Sequence, residues 1–138
     1  MRYVAETSES IEQQTLFRWA EFRAQAYPEL ELLYHIPNEG KRNAATGRRL
    51  KAEGLKKGVP DLCLPVARGG KHGLYIEMKA GKNKTSPYQD KWLAELSKQG
   101  YETAVCYGWE AAAAVIERYL KSAVECTERT SEKCTSTT

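Results

Sequence analysis

Two short apolar runs, Val59-Pro-Asp-Leu-Cys-Leu-Pro-Val66 and Gly73-Leu-Tyr-Ile-Glu-Met-Lys79, flank the turn sequence Arg68-Gly69-Gly70-Lys71. That pattern predicts a β-hairpin across residues 61–79. A hairpin of this kind is marginal alone and must bury an apolar face against other elements. Three charged side chains interrupt it. Asp61 opens the first strand, while Glu77 and Lys79 sit near the end of the second. Because strand side chains alternate, Glu77 and Lys79 leave one face and Ile76 and Met78 the other. Pairing of the strands brings Asp61 beside Glu77 and Lys79.

The remaining elements are consistent with one compact domain, which is all that 138 residues allow. Residues from Ser8 to about Ala26 read as a helix, with Ser8 or Ser10 as N-cap and Glu9 and Glu12 in the first turn. At helical spacing Gln13, Leu16, Phe17, Ala20 and Ala24 share a face, with Trp19 at its edge. Pro28 ends the helix, and Leu30 to Ile36 has strand character. Residues 38–58 are basic and glycine-rich, with a short helix predicted near Arg48 to Glu53. A helix opens at Ser86-Pro87 and runs to about Gln99, with Gly100 as its C-cap. Glu102 to Tyr107 reads as a strand and Trp109 to Leu120 as a last amphipathic helix. The order α-β-β-β-α-β-α indicates an α/β fold, a mixed sheet flanked by helices. The domain is expected over 1–121, followed by a polar, frayed tail over 122–138.

Function classes narrow next. No run approaches the roughly 20 apolar residues needed to span a bilayer, and the N-terminus lacks the apolar region of a secretory signal. The cysteines at 63, 106, 126 and 134 form no CxxC pair, so reduced thiols in a cytoplasmic chain are expected, with Cys63 and Cys106 as small buried hydrophobes. The formal net charge is only +3, but its distribution is uneven: −3 over residues 1–37, +5 over 38–58, +3 over 59–84 and −2 over 85–138. A concentrated basic stripe suits a run of phosphates, although solubility alone accounts for many surface lysines.

Two acids and an amine on one sheet face are costly unless they pair with each other or a cation binds the carboxylates. Spacing alone allows either a salt-bridge cluster on a half-exposed strand or an oxygen-ligand site for Mg²⁺ or Mn²⁺. An ion of that type lowers the pKa of a bound water.

Pro60-Asp61, fifteen residues, then Glu77-Met78-Lys79 resembles the PD-(D/E)XK nuclease motif. The stretches Ile36 to Arg42, Leu50 to Gly54, Gly58 to Leu62, Gly73 to Lys79 and Ser86-Pro87-Tyr88-Gln89 resemble the VRR-NUC branch of that superfamily, particularly its small stand-alone phage and bacterial members. The likeness spans roughly residues 8–120. Glu39 departs from the pattern, standing where a small residue such as glycine is usual. The resemblance implies a restriction-endonuclease-like core and a Mg²⁺- or Mn²⁺-dependent DNA endonuclease. It implies Asp61 and Glu77 as metal carboxylates, the Met78 carbonyl as a further oxygen, Lys79 as the catalytic lysine and Gln89 as a positioning group. A first-helix glutamate completes the set. Glu9, which precedes Gln13 by four residues and points at the sheet, is favoured over Glu12.

The basic segment then supplies phosphate contacts: Asn38, Lys41, Arg42, Arg48, Lys51, Lys56 and Lys57, with Lys82 and Lys84 extending the track. Trp19, Trp92 and Trp109 are expected in the core, and His35 and His72 are given no ligand role. Stand-alone relatives resemble Holliday-junction resolvases, which implies branched DNA and a homodimer. A flap nuclease, a non-catalytic DNA-binding module and a structural oligomerisation domain are the competing readings.

Overall fold

The structure, a computed structural model, describes residues 8–37 and 44–122. Its elements are α1 (Ser8–Arg23), a 3₁₀ segment (Pro28–Leu32), β1 (Tyr34–His35), α2 (Ala44–Ala52), β2 (Leu62–Leu64), β3 (Leu74–Lys79), α3 (Pro87–Lys98), β4 (Glu102–Tyr107) and α4 (Trp109–Lys121). The four strands lie in the order β1-β2-β3-β4. The first two junctions are antiparallel, and β3 and β4 are parallel, joined by the α3 crossover.

The predicted hairpin forms, with Leu62 opposite Ile76 and Leu64 opposite Leu74. Its turn closes through Arg68 N donating to Lys71 O at 3.0 Å and Lys71 N donating to Arg68 O at 2.7 Å. Gly69 and Gly70 both have positive φ, +54° and +80°. That is the twist a two-residue hairpin turn needs and a side chain disfavours. Strand β2 is shorter than the apolar run, because Pro60 and Pro65 at its flanks have no N–H for the ladder.

The segment Leu30 to Ile36 departs from expectation. Most of it is a 3₁₀ turn, and only Tyr34 and His35 pair as strand. Pro28 presets the helical φ and needs no N–H in a first turn. Leu30 and Leu33, three residues apart, both reach the core, whereas Leu32 is exposed. Three-residue spacing suits a 3₁₀ helix and defeats the alternation of a strand. The helix in the basic segment forms as α2, earlier than expected, and has no buried residue.

Leu16 and Ala20 of α1 and Ala112, Ile116 and Leu120 of α4 pack with Leu62, Leu64, Leu74, Ile76, Met78 and Cys106 of the sheet. Trp19 and Trp109 pack against this core, and Cys63 and Cys106 are buried free thiols. Burial pushes the Cys106 thiol up to about 11, so it stays protonated. Helix α3 lies against β4. Among the described residues no helix is long and apolar enough to cross a membrane. Asn38, Lys41 and Arg42, expected at phosphates, and all of the expected tail over 122–138 except Ser122, the C-cap of α4, fall outside the described residues.

Glu12 has a structural task. Gly108 at the N-cap of α4 offers no capping side chain, and a Glu12 carboxylate oxygen instead accepts from Trp109 N at 3.0 Å. Glu12→Ala is expected to cost about 1 kcal/mol, the usual value of a lost cap, with Glu12→Gln losing less. Urea unfolding of the two variants measures this; equal stability of Glu12→Ala and wild type would remove the cap assignment.

Candidate active site

Asp61 follows the buried Pro60 and precedes β2. Its carbonyl accepts from Ile36 N at 2.7 Å and is 3.1 Å from His35 Nδ1, a contact that needs the proton on Nδ1. With the backbone held from the β1 side, the carboxylate turns toward β3, where Oδ2 accepts from Met78 N at 2.8 Å. The β2–β3 ladder ends at Leu62 opposite Ile76, so Asp61 provides by side chain the acceptor that the strand no longer offers.

The same hydrogen bond orients the Met78 carbonyl. Lys79 O faces β4, where it accepts from Gly108 N at 3.2 Å. Successive carbonyls alternate along a strand, so the Met78 carbonyl leaves on the opposite side, the side of Asp61.

Glu77 is 2% exposed. Its Oε2 accepts from Gln89 Nε2 at 3.0 Å and lies 3.6 Å from Lys79 Nζ. Gln89 can present only its NH₂ there, because its Oε1 accepts from Ser86 N at 2.9 Å while Gln89 N donates to Ser86 Oγ at 3.2 Å. This capping box starts α3 and simultaneously aims the amide at Glu77. Among the described residues no group donates to Glu77 Oε1, and a hydrogen bond between the Glu77 and Asp61 carboxyl groups favours the protonated form of Glu77. Burial, reinforced by the negative charge of Asp61 and only partly opposed by Lys79, raises the Glu77 carboxyl from 4.5 to about 8.

Glu9, Ser10, Gln13 and His35 join Asp61, Glu77, Lys79 and Gln89 around a cavity of about 490 Å³. Glu9 Oε2 accepts from Asn83 Nδ2 at 3.3 Å, and the Asn83 carbonyl in turn accepts from Tyr107 Oη at 2.8 Å. Of the two candidate glutamates in the first turns of α1, Glu9 therefore faces the cavity and Glu12 caps α4. Gln13 lies one helical turn after Glu9, a spacing readable in advance. His35 and Asn83 carried no such signal, because the β1–β2 register and the loop after β3 bring them in. Arg48, Lys51, Lys56, Lys57, Lys82 and Lys84 are all exposed.

The salt-bridge reading accounts for the site only in part. Lys79 pairs with one oxygen of Glu77, and among the described residues no group donates to the other, buried oxygen. Asp61, Glu77 and a backbone carbonyl beside a solvent-reachable cavity are the hard oxygen donors that small divalent cations accept, with water completing the shell. Among the described residues no three His, Cys, Asp or Glu side chains form a ready-made cage.

A larger groove, about 700 Å³, runs between α1 and the 3₁₀ segment, past Phe17, Leu30 and Leu33. Its charged lining is Arg18, Glu21 and Glu31, and none of the predicted site residues reaches it.

The family model described as the VRR-NUC domain matches residues 4–110. A solved structure titled "VRR_NUC domain protein" superposes with a TM-score of 0.73 at 29% identity, covering 87% of this chain and 93% of that one. No curated protein matches the chain. The mixed sheet flanked by helices agrees with the restriction-endonuclease-like α/β fold anticipated above. A match over this share of the sequence, with a structural likeness of the same description, means that the chain belongs to the VRR-NUC domain family, a family of nucleases.

Proposed function

We propose that the chain is a Mg²⁺- or Mn²⁺-dependent endonuclease that cuts branched DNA, four-way junctions foremost. The observation that carries this reading is the convergence of Asp61, Glu77 and Lys79 on one cavity, with a buried Glu77 oxygen to which no described residue donates. Asp61, Glu77 and the Met78 carbonyl would hold the ion, with Glu9 on the α1 side of the cavity. When bound, such an ion supplies Lewis-acid polarisation and lowers the pKa of water.

The protein's own groups have separate tasks. Lys79, 8% exposed, carries an ammonium that can donate to a phosphoryl oxygen as negative charge builds there. Gln89 holds Glu77 in one orientation, so the carboxylate does not swing to satisfy its free oxygen elsewhere. Hydrolysis forms one P–O bond from water and breaks the bridging P–O bond, whose oxygen leaves with a proton. Paired cuts across a junction need two such sites, which is the reason for proposing a homodimer. The buried free thiols suit a cytoplasmic protein, where we place it.

The test is a cleavage panel on four-way junction, flap and linear duplex DNA with Mg²⁺, Mn²⁺ or EDTA. Ion-dependent cutting, fastest on the junction, is the expected result. Preference for the flap would reassign the substrate, and DNA binding without any cutting would indicate a non-catalytic module.

The exposed lysines after α2 give a second expectation. Replacing Lys56 and Lys57 together by alanine is expected to weaken binding to every DNA. The slope of log K against log salt should fall by about one unit for each phosphate no longer neutralised. A titration at several salt concentrations checks this. Unchanged affinity would assign both lysines to solvent.

A further inference from the structure

Tyr88 is the second residue of α3, immediately before Gln89, and is 58% exposed. Its surroundings are built rather than incidental. Lys57 Nζ lies 5.3 Å from the centre of the Tyr88 ring. The next residue, Gly58, has a φ of +88° and packs on the Tyr88 backbone so closely that a Cβ there would stand 2.5 Å from the Tyr88 carbonyl carbon. The junction between the basic segment and α3 therefore has no room for a side chain, and it holds Lys57 against the ring. Exposed Lys91, three residues on, shares the ring's side of the helix. An accessible aromatic ring with the Lys57 amine over it thus stands one residue from the glutamine that touches Glu77.

We propose that Tyr88 and Lys57 form a stacking subsite for one unpaired base of the DNA strand beside the cut. This inference rests on the reading of the chain as a nuclease for branched DNA and supplies a residue-level cause for that preference. The ring of an exposed tyrosine offers a sequence-tolerant π-face, and a base stacks on it more strongly than an exposed ammonium does. On binding, Lys57 leaves the ring for the adjoining phosphate. Bases inside an intact duplex are already stacked on their neighbours and cannot reach the ring. A strand unpaired at a branch point can.

The experiment uses DNA carrying 2-aminopurine, whose fluorescence falls on stacking, at an unpaired position or within a matched duplex, with EDTA present so that no cutting occurs. Wild-type protein is expected to quench the unpaired probe and not the paired one. Tyr88→Ala is expected to lose the quenching and about tenfold in affinity for the unpaired probe, with at most a twofold loss on paired DNA; Tyr88→Phe is expected to keep both. Circular dichroism and urea unfolding of the variants check that they are folded. If Tyr88→Ala binds and quenches like wild type, or loses equally on both probes, the subsite is wrong and the nuclease reading stands. If wild-type protein binds neither probe, both fall.

Discussion

Lys79→Ala is expected to slow DNA cleavage by about a thousandfold while the protein stays folded and still binds DNA. Lys79 lies at the end of β3, in register with Tyr107 of the parallel neighbour, and its amine is held 3.6 Å from Glu77 Oε2. Its ammonium is therefore fixed in a low-dielectric site, where a charge aimed at a developing oxyanion is worth most. Asp61→Asn is expected to cause a loss of the same order. The amide still occupies the space beside Met78 N, but it gives up the charge a cation would need. Single-turnover cleavage of a four-way junction at saturating protein measures both variants, with circular dichroism and urea unfolding as controls. Cutting within threefold of wild type by both variants would place the chemistry elsewhere.

Glu77→Gln is expected to stabilise the metal-free protein above neutral pH while abolishing its response to divalent ions. The Glu77 carboxyl sits at about 8 in the folded protein against an ordinary 4.5, raised chiefly by burial. The folded state thus keeps a proton that the unfolded chain releases. The associated stability is complete below about pH 4.5 and is lost progressively as pH rises toward 8. Glutamine is neutral throughout, so the variant's unfolding free energy should be flatter from pH 5 to 8 and exceed that of wild type at the upper end. Added Mg²⁺ competes with the proton. At a hundred times its dissociation constant it should stabilise wild type by about 2.7 kcal/mol and the variant by much less. Urea unfolding at pH 5.5 and 7.5, with and without Mg²⁺, reads all four quantities. Parallel pH profiles for the two proteins would mean that Glu77 is not the group holding the proton.

Much of this architecture is legible in the linear chain. The Arg-Gly-Gly-Lys turn and its apolar flanks specify the hairpin, because two adjacent glycines make a tight turn cheap. Ser86-Pro87 and Gln89 specify the start of α3 through a capping box that is entirely local. The stretch after Pro28 reads as a strand and folds otherwise, because apolar residues there suit either a strand or a 3₁₀ turn. Only burial of Leu30 and Leu33 together separates the two.

At the site, the sequence by itself pointed to the candidate groups Asp61, Glu77, Lys79 and Gln89, with Glu9 favoured over Glu12. Strand alternation and the PD…ExK spacing are short-range properties, set by backbone geometry over a few residues. What only the tertiary structure decided was long-range. Packing of α1 against the sheet and α4 sends Glu9 to the cavity and Glu12 to the Trp109 amide. The loop after β3 delivers Asn83 to Glu9, and the β1–β2 register delivers His35 to Asp61. The burial of a Glu77 oxygen to which no described residue donates likewise belongs to no motif, since desolvation depends on everything that surrounds a group and a linear pattern records only its neighbours along the chain.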